Sequence, residues 1–182
     1  MRFVILITTA LALFLIVFLV YRLIRDMRPR KPQLKPLPEP PTSPEVLLAN
    51  LRRRQEARSP SDELVTDPRE AATILMLEMA HAGEAFEGRH TSRIAAIIKD
   101  QFNFTSDQAE ALIGHADWAS EPNRGETELW VRLIARIMKR VSPKEIIDLD
   151  GMLEEVSEID GLPSPRQMEL LQLYRNRTGI NA

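Results

Sequence analysis

Four short stretches of this sequence spell out the start of a helix in side-chain chemistry. Asp67-Pro68-Arg69-Glu70, Thr105-Ser106-Asp107-Gln108, Ser142-Pro143-Lys144-Glu145 and Ser164-Pro165-Arg166-Gln167 each set a cap residue three positions before Glu or Gln. The cap side chain accepts from an orphan N–H inside the first turn, and the Glu or Gln reaches back to the cap's own N–H. Three of the four add proline at the first helical position, where its missing donor costs nothing. A chain punctuated in this way is committed to helices over its C-terminal two thirds.

Apolar spacing fills the helices in. The pattern predicts a first helix over 68–82 with Ala71, Ile74, Leu75, Met79 and Ala82 inward, and a second over 91–102 with Ile94, Ile97, Ile98 and Phe102. A third runs over 106–116 with Ala109, Leu112 and Ile113, and a fourth over 126–141 with Trp130, Leu133, Ile134, Ile137 and Val141. The fifth, over 143–159, uses Ile146, Ile147, Leu149, Met152, Leu153 and Val156. The last, over 165–177, uses Met168, Leu171 and Tyr174 and stops at Gly179. No stretch alternates with period two, so the expected class is all-α: a six-helix bundle over 65–182, large enough for one core. Its two ends echo each other at an offset of 76, where Met76-Leu77-Glu78 matches Met152-Leu153-Glu154, as an internal duplication would leave them.

The N-terminus follows a different rule. From Phe3 to Tyr21 nineteen residues carry no charge, and only Thr8 and Thr9 are polar. As a helix this run is about 28 Å long, enough to cross a bilayer's hydrocarbon core. Arg22, Arg25, Arg28, Arg30, Lys31 and Lys35 follow, against the single acid Asp26. The positive-inside bias then puts the N-terminus outside and the rest of the chain in the cytoplasm. A cleaved signal peptide fits less well, because Leu19-Val20-Tyr21-Arg22 shows no Ala-x-Ala pattern. Residues 1–22 therefore read as an uncleaved single-pass anchor, with the lipid bilayer as its partner. Nothing beyond Tyr21 is apolar enough to span again. Cysteine is absent, which excludes disulfides without deciding the compartment.

Charge divides the chain as well. Residues 1–60 hold eleven Lys/Arg and four Asp/Glu, a net +7, whereas residues 61–182 hold thirteen and twenty-two, a net −9. A basic half beside a bilayer suits anionic headgroups. An acidic helical half argues against nucleic acid, which needs a basic face. Residues 23–44 form a basic, proline-rich linker: Pro29, Pro32, Pro36, Pro38, Pro40, Pro41 and Pro44 leave no room for helix or sheet. Residues 45–64 follow as a short amphipathic and basic segment. Val46, Leu47, Leu48 and Leu51 give it an apolar patch, and Arg52, Arg53, Arg54 and Arg58 a basic one. It reads equally as a helix on the membrane surface and as a solvated helix padding the linker.

The stretch from Thr66 to Ala182 resembles the tellurite-resistance TerB-like domain, also found at the N-terminus of membrane-anchored DnaJ-like co-chaperones. The residues that carry the likeness are Leu75-Met76-Leu77-Glu78-Met79-Ala80-His81-Ala82-Gly83, Ile94 to Phe104 with Thr105-Ser106-Asp107-Gln108-Ala109, and Glu158-Ile159-Asp160-Gly161. The resemblance implies a helical bundle, a bacterial inner-membrane setting, and divalent-metal binding by acidic turns. Asp160 and Glu158 are then the candidate ligands. Two positions depart from that pattern: Ala82 stands where the first turn would have Asp, and Gln167 about where a Glu is expected. A hard divalent cation wants several anionic oxygens together, so the departures weaken the metal reading. No His-Pro-Asp motif appears, which removes chaperone recruitment through it.

A second metal candidate is His81-x-x-Glu84-x-x-Glu87-x-x-His90, whose imidazoles and carboxylates suit zinc. Gly83 and Gly88 interrupt any continuous helix there, and a polar loop is the plainer reading. Catalytic and cofactor-binding motifs are missing: the sequence has no Cys, no Gly-x-Ser-x-Gly and no phosphate-cradling glycine loop. His115-Ala116-Asp117-Trp118 reads as a helix end with Trp118 over the core, and Asp148 and Asp150 as the wet side of the fifth helix. The favoured function is a non-enzymatic, membrane-tethered cytoplasmic module for an unidentified protein partner. The resemblance would place it in envelope stress or tellurite-type resistance. A metal-responsive binding protein is the alternative.

Overall fold

Ser142 and Ser164 do what their positions demand. Each hydroxyl accepts from the N–H three residues on, at 3.4 and 3.1 Å, while Glu145 and Gln167 accept from the cap N–H at 2.7 and 2.8 Å. Thr105 and Gln108 close the same reciprocal pair at 3.3 and 2.9 Å. The computed structural model describes residues 43–57 and 65–180, which fall in one compact unit. The expected anchor over 1–22 and the linker up to residue 42 lie outside the described residues. Among the described residues no helix is long and apolar enough to cross a membrane.

The described residues form seven α-helices and no strand, as the all-helical reading expects. They are α1 (Pro44–Glu56), α2 (Pro68–His81), α3 (Gly88–Phe102), α4 (Ser106–Ser120), α5 (Thr127–Ile137), α6 (Pro143–Ser157) and α7 (Pro165–Thr178), with a 3-10 turn at Glu121–Asn123. Helix α2 is the axis of the unit. It packs against α3, α4, α5 and α6, while α1 lies on α4 and α7 covers α5 and α6. Every residue from Glu70 to Ala80 is buried, so α2 has no outward face, although Met76 and Leu77 fall off its predicted apolar stripe.

Two apolar residues expected in the core are outside it. Ile147 is 60% and Met168 54% exposed. In α6 the buried stripe is Leu149, Met152, Leu153 and Val156, and in α7 it is Gln167, Leu170, Leu171 and Tyr174. Both stripes follow the three–four spacing of one helix face; Met168 sits about 110° off its stripe, and Ile147 is on nearly the opposite side of α6 from its own. Helix α4 runs on to Ser120, past the predicted end at 116, so His115 lies inside the helix while Trp118 sits in its last turn, packed against the core as expected.

The described part of the predicted 45–64 segment, residues 45–57, belongs to the bundle. Leu47, Leu48 and Leu51 are 4%, 9% and 2% exposed and join the common core, so their face is spent on neither a membrane surface nor solvent. Each such burial contributes roughly 1.5–3 kcal/mol. The docking is pinned by charge: Arg54 donates to both oxygens of Glu70, each at 2.6 Å. Glu70 therefore does not close the capping box expected of it with Asp67. Asp67 caps α2 alone, accepting from the Arg69 N–H at 2.9 Å. On its other side Glu70 accepts from His115 Nε2 at 3.1 Å. Replacing Arg54 by Met leaves the Glu70 charge buried without its main partner. The expected loss, read by urea unfolding of the full chain, is about 3–5 kcal/mol.

Candidate functional site

Three places on the unit gather chemistry-bearing side chains. The first is the end where the α2–α3 and α6–α7 turns meet, which holds both predicted metal sets. Helix α3 begins at Gly88, three residues before the predicted start, and this makes His90 part of its cap. His90 Nδ1 accepts from the Glu87 N–H at 3.0 Å, so the ring proton sits on Nε2. That Nε2–H donates to Asp160 at 3.1 Å, tying one candidate set to the other through a single hydrogen bond. Arg89 pairs with Asp160 at 2.9 Å and with Glu87 at 3.3 Å. Phe86 stacks between the imidazoles, its ring centroid 4.0 Å from His81 and 5.7 Å from His90. Glu84 and Glu158 are exposed. Among the described residues no three His, Asp or Glu side chains are grouped as a metal centre would require.

Gln167 explains its own departure from the acidic pattern. Its side-chain N–H donates to the Met79 carbonyl at 3.0 Å while its oxygen serves the Ser164 cap. A carboxylate has no proton for that carbonyl. The Ser164 hydroxyl donates to the Ala82 carbonyl at 2.9 Å, so the α6–α7 turn closes the C-terminal end of α2. Gly83 fits here because a Cβ would come within 3.2 Å of both the Ala80 carbonyl and the Gln167 amide.

The second place lies beside it, along α2, α4 and the turn that follows the 3-10 segment. Glu78 is buried and accepts from the Gly125 N–H at 2.7 Å, with the Arg124 guanidinium 3.9 Å away. Burial pushes its carboxyl above the usual carboxylate range, against the opposing pull of the Gly125 N–H and Arg124. Burial also holds His81 below the ordinary imidazole range, assisted by Arg124, although Asp117 stands 3.7 Å away. Asp117 itself accepts from Arg124 at 2.6 Å. Asp117 and Arg124 are paired here, whereas Glu78 Oε1 and His81 Nε2 are buried without a hydrogen-bond partner among the described residues.

The third place was not foreseen. Helices α3 and α6 both pack on α2, and between them lies an open groove of about 600 Å³. Ala96, Ile97, Gly151 and Met152 make its floor, and Ile147 stands at its wall. One end is closed by the ion pair of Arg93 with Glu155 at 2.7 Å. Asp100 and Asp148 line the open groove toward the other end, and Asp148 is exposed, as the wet-side reading expects. Asp150 departs from that reading: its carboxylate accepts from Arg175 at 2.9 and 3.1 Å. The sequence held one signal for the groove: glycine at 151 inside a helix costs about 1 kcal/mol against alanine. With nothing within 4 Å of its Cβ position, that glycine answers no packing need inside the unit.

Comparison with protein-family models, with curated proteins and with solved structures finds no match for this chain.

Two substitutions test these assignments. Gln167→Glu sets a carboxylate against the Met79 carbonyl and is expected to lower stability by about 1–3 kcal/mol, measured by urea unfolding at neutral pH. Glu78 is raised in the folded state, so between its unfolded value of 4.5 and its folded one the native chain binds more protons than the unfolded chain. Its contribution to stability therefore falls as pH rises through that window. Glu78→Gln should flatten this decline, which unfolding curves taken from pH 4.5 to 7 will read.

Proposed function

We propose that this protein is a non-enzymatic interaction module, held at a bacterial inner membrane by the Phe3–Tyr21 segment, that presents the α3–α6 groove to a protein partner in the cytoplasm. The envelope-stress or tellurite-type setting implied by the TerB-like resemblance is the context we assign to it. One observation carries the reading: an open groove between two helices, lined by both apolar and charged side chains, with Ile97 and Met152 buried along it and Ile147 60% exposed at its edge. A cleft between two helices that combines apolar residues with a few charged ones is the form a binding site commonly takes. By contrast, the polar groups at the turn end are engaged with one another. His90 and Asp160 bond each other and Arg89 holds Asp160 and Glu87, so the geometry lends no support to the metal-responsive alternative.

A photo-crosslinking residue placed at Ile147 in the full membrane-bound chain tests the proposal. A defined adduct is expected at Ile147, and none at the exposed Gln172 on α7. Gly151→Leu, which fills the groove where a Cβ meets nothing within 4 Å, should abolish that adduct without loss of helical signal. Equal labelling at positions 147 and 172, or an adduct indifferent to Gly151→Leu, would remove the groove as the partner site.

A further inference from the structure

The groove also restricts the chemistry of what fills it, on the reading that it is a partner site. Its residues on α3 are Arg93, Ala96, Ile97, Asp100 and Gln101, a single face at three–four spacing. On α6 the groove runs from Ile147 to Glu155. Because Arg93 pairs with Glu155, the two helices run antiparallel along it, with Asp100 and Asp148 falling together at the end remote from that ion pair. The α3 wall from Arg93 to Gln101 is about 12 Å long, or two helical turns.

We infer that this groove receives a short amphipathic helix that brings apolar anchors one turn apart and a lysine or arginine at the Asp100–Asp148 end. Both walls are helix sides, whose backbone N–H and C=O groups are already bonded within the helices. An extended segment laid there would leave its own backbone unpaired, whereas a helix arrives satisfied. The floor is low at Ala96 and Gly151 and apolar at Ile97 and Met152, which are 5% and 9% exposed.

Charge then sets the orientation and the sign. Arg93 is neutralised by Glu155 at 2.7 Å, so the near end of the groove carries no net charge. At the far end Asp100 accepts from the Gln101 side chain at 2.9 Å, and among the described residues no cation pairs with Asp100 or Asp148. The stretch that carries the groove, residues 61–182, is itself net −9, with thirteen Lys/Arg against twenty-two Asp/Glu. Such a field draws basic partners and repels acidic ones.

The full chain in nanodiscs is titrated with a labelled helical peptide that carries leucines at i and i+4 and two lysines on the following turn. Two controls replace the lysines by glutamine and by glutamate. Saturable binding of the lysine peptide is expected, about three- to tenfold tighter than the glutamine form and tighter still than the glutamate form. The double variant Asp100→Lys with Asp148→Lys should reverse that order, and Gly151→Leu should weaken every peptide. Asp100 and Asp148 are exposed, so the reversal should keep the circular dichroism and melting curve of the parent. Equal affinity for the three peptides, or a lysine preference that survives the charge reversal, overturns the inference. Concentration-dependent self-association dispersed by Gly151→Leu also overturns it, in favour of a second copy of this chain. If the lysine preference fails while the Ile147 adduct persists, the groove remains a partner site and the basic helix alone falls. If both fail, the proposed function falls with it.

Discussion

Helix α2 carries two carboxylates, Glu70 and Glu78, along a surface buried on every side, and an unpaired carboxylate in such a place costs several kcal/mol. Much of the surrounding arrangement answers that cost. Glu70 draws in Arg54, and with it α1 and its three leucines. It also fixes α4 through His115. Glu78 draws the Gly125 N–H and Arg124 over the end of α4, which shapes the turn between the 3-10 segment and α5. The central helix therefore organises its neighbours by apolar contact along its length and by charge near both ends.

The two surfaces that could have served a ligand differ in what this arrangement leaves over. At the turn end, Gln167, Ser164, His90 and Asp160 bind the two turns together, and their polar atoms are used in doing so. Of the residues that read in the sequence as metal ligands, His90 and Asp160 bond each other there, while Glu84 and Glu158 stand exposed. Between α3 and α6 the opposite holds. Both helices are anchored on α2, but Ala96 and Gly151 are too small to fill the space between them, and Ile147 stands off the buried stripe. A groove remains whose far end holds Asp100 and Asp148, neither paired with a cation among the described residues.

What could be read from the sequence follows the range of the interaction. Capping pairs lie three residues apart, and Thr105, Ser142 and Ser164 formed the bonds their spacing promised. Apolar stripes repeat within four residues, so Ile94, Ile97, Ile98, Leu133 and Leu153 were placed correctly in the core. Errors arose where a local role met a distant competitor. Glu70 was spaced to cap α2 yet turned to Arg54 and His115, since a buried ion pair outweighs a cap already supplied by Asp67. His90 looked like a ligand because its sequence neighbours were acidic. Its partners proved to be a cap N–H and an aspartate seventy positions away. Ile147 and Met168 are apolar and fit the helical pattern loosely, but they fall off the buried stripe of their helices and stand exposed.

By itself, then, the sequence determined the helical class, the four helix starts that carry cap residues and most of the core, because those properties are settled within a turn of chain. It also held the charge asymmetry and the apolar N-terminal run, which are matters of composition. Only the tertiary structure decided that the residues from Pro44 onward join the bundle, which buried polar groups satisfy one another, and where a groove stays open. Those outcomes rest on contacts across 16, 45, 70 and 88 residues, from Arg54 to Glu70, Glu70 to His115, His90 to Asp160 and Met79 to Gln167. Such pairs leave no periodic trace in a sequence, since nothing local requires either partner to be where it is.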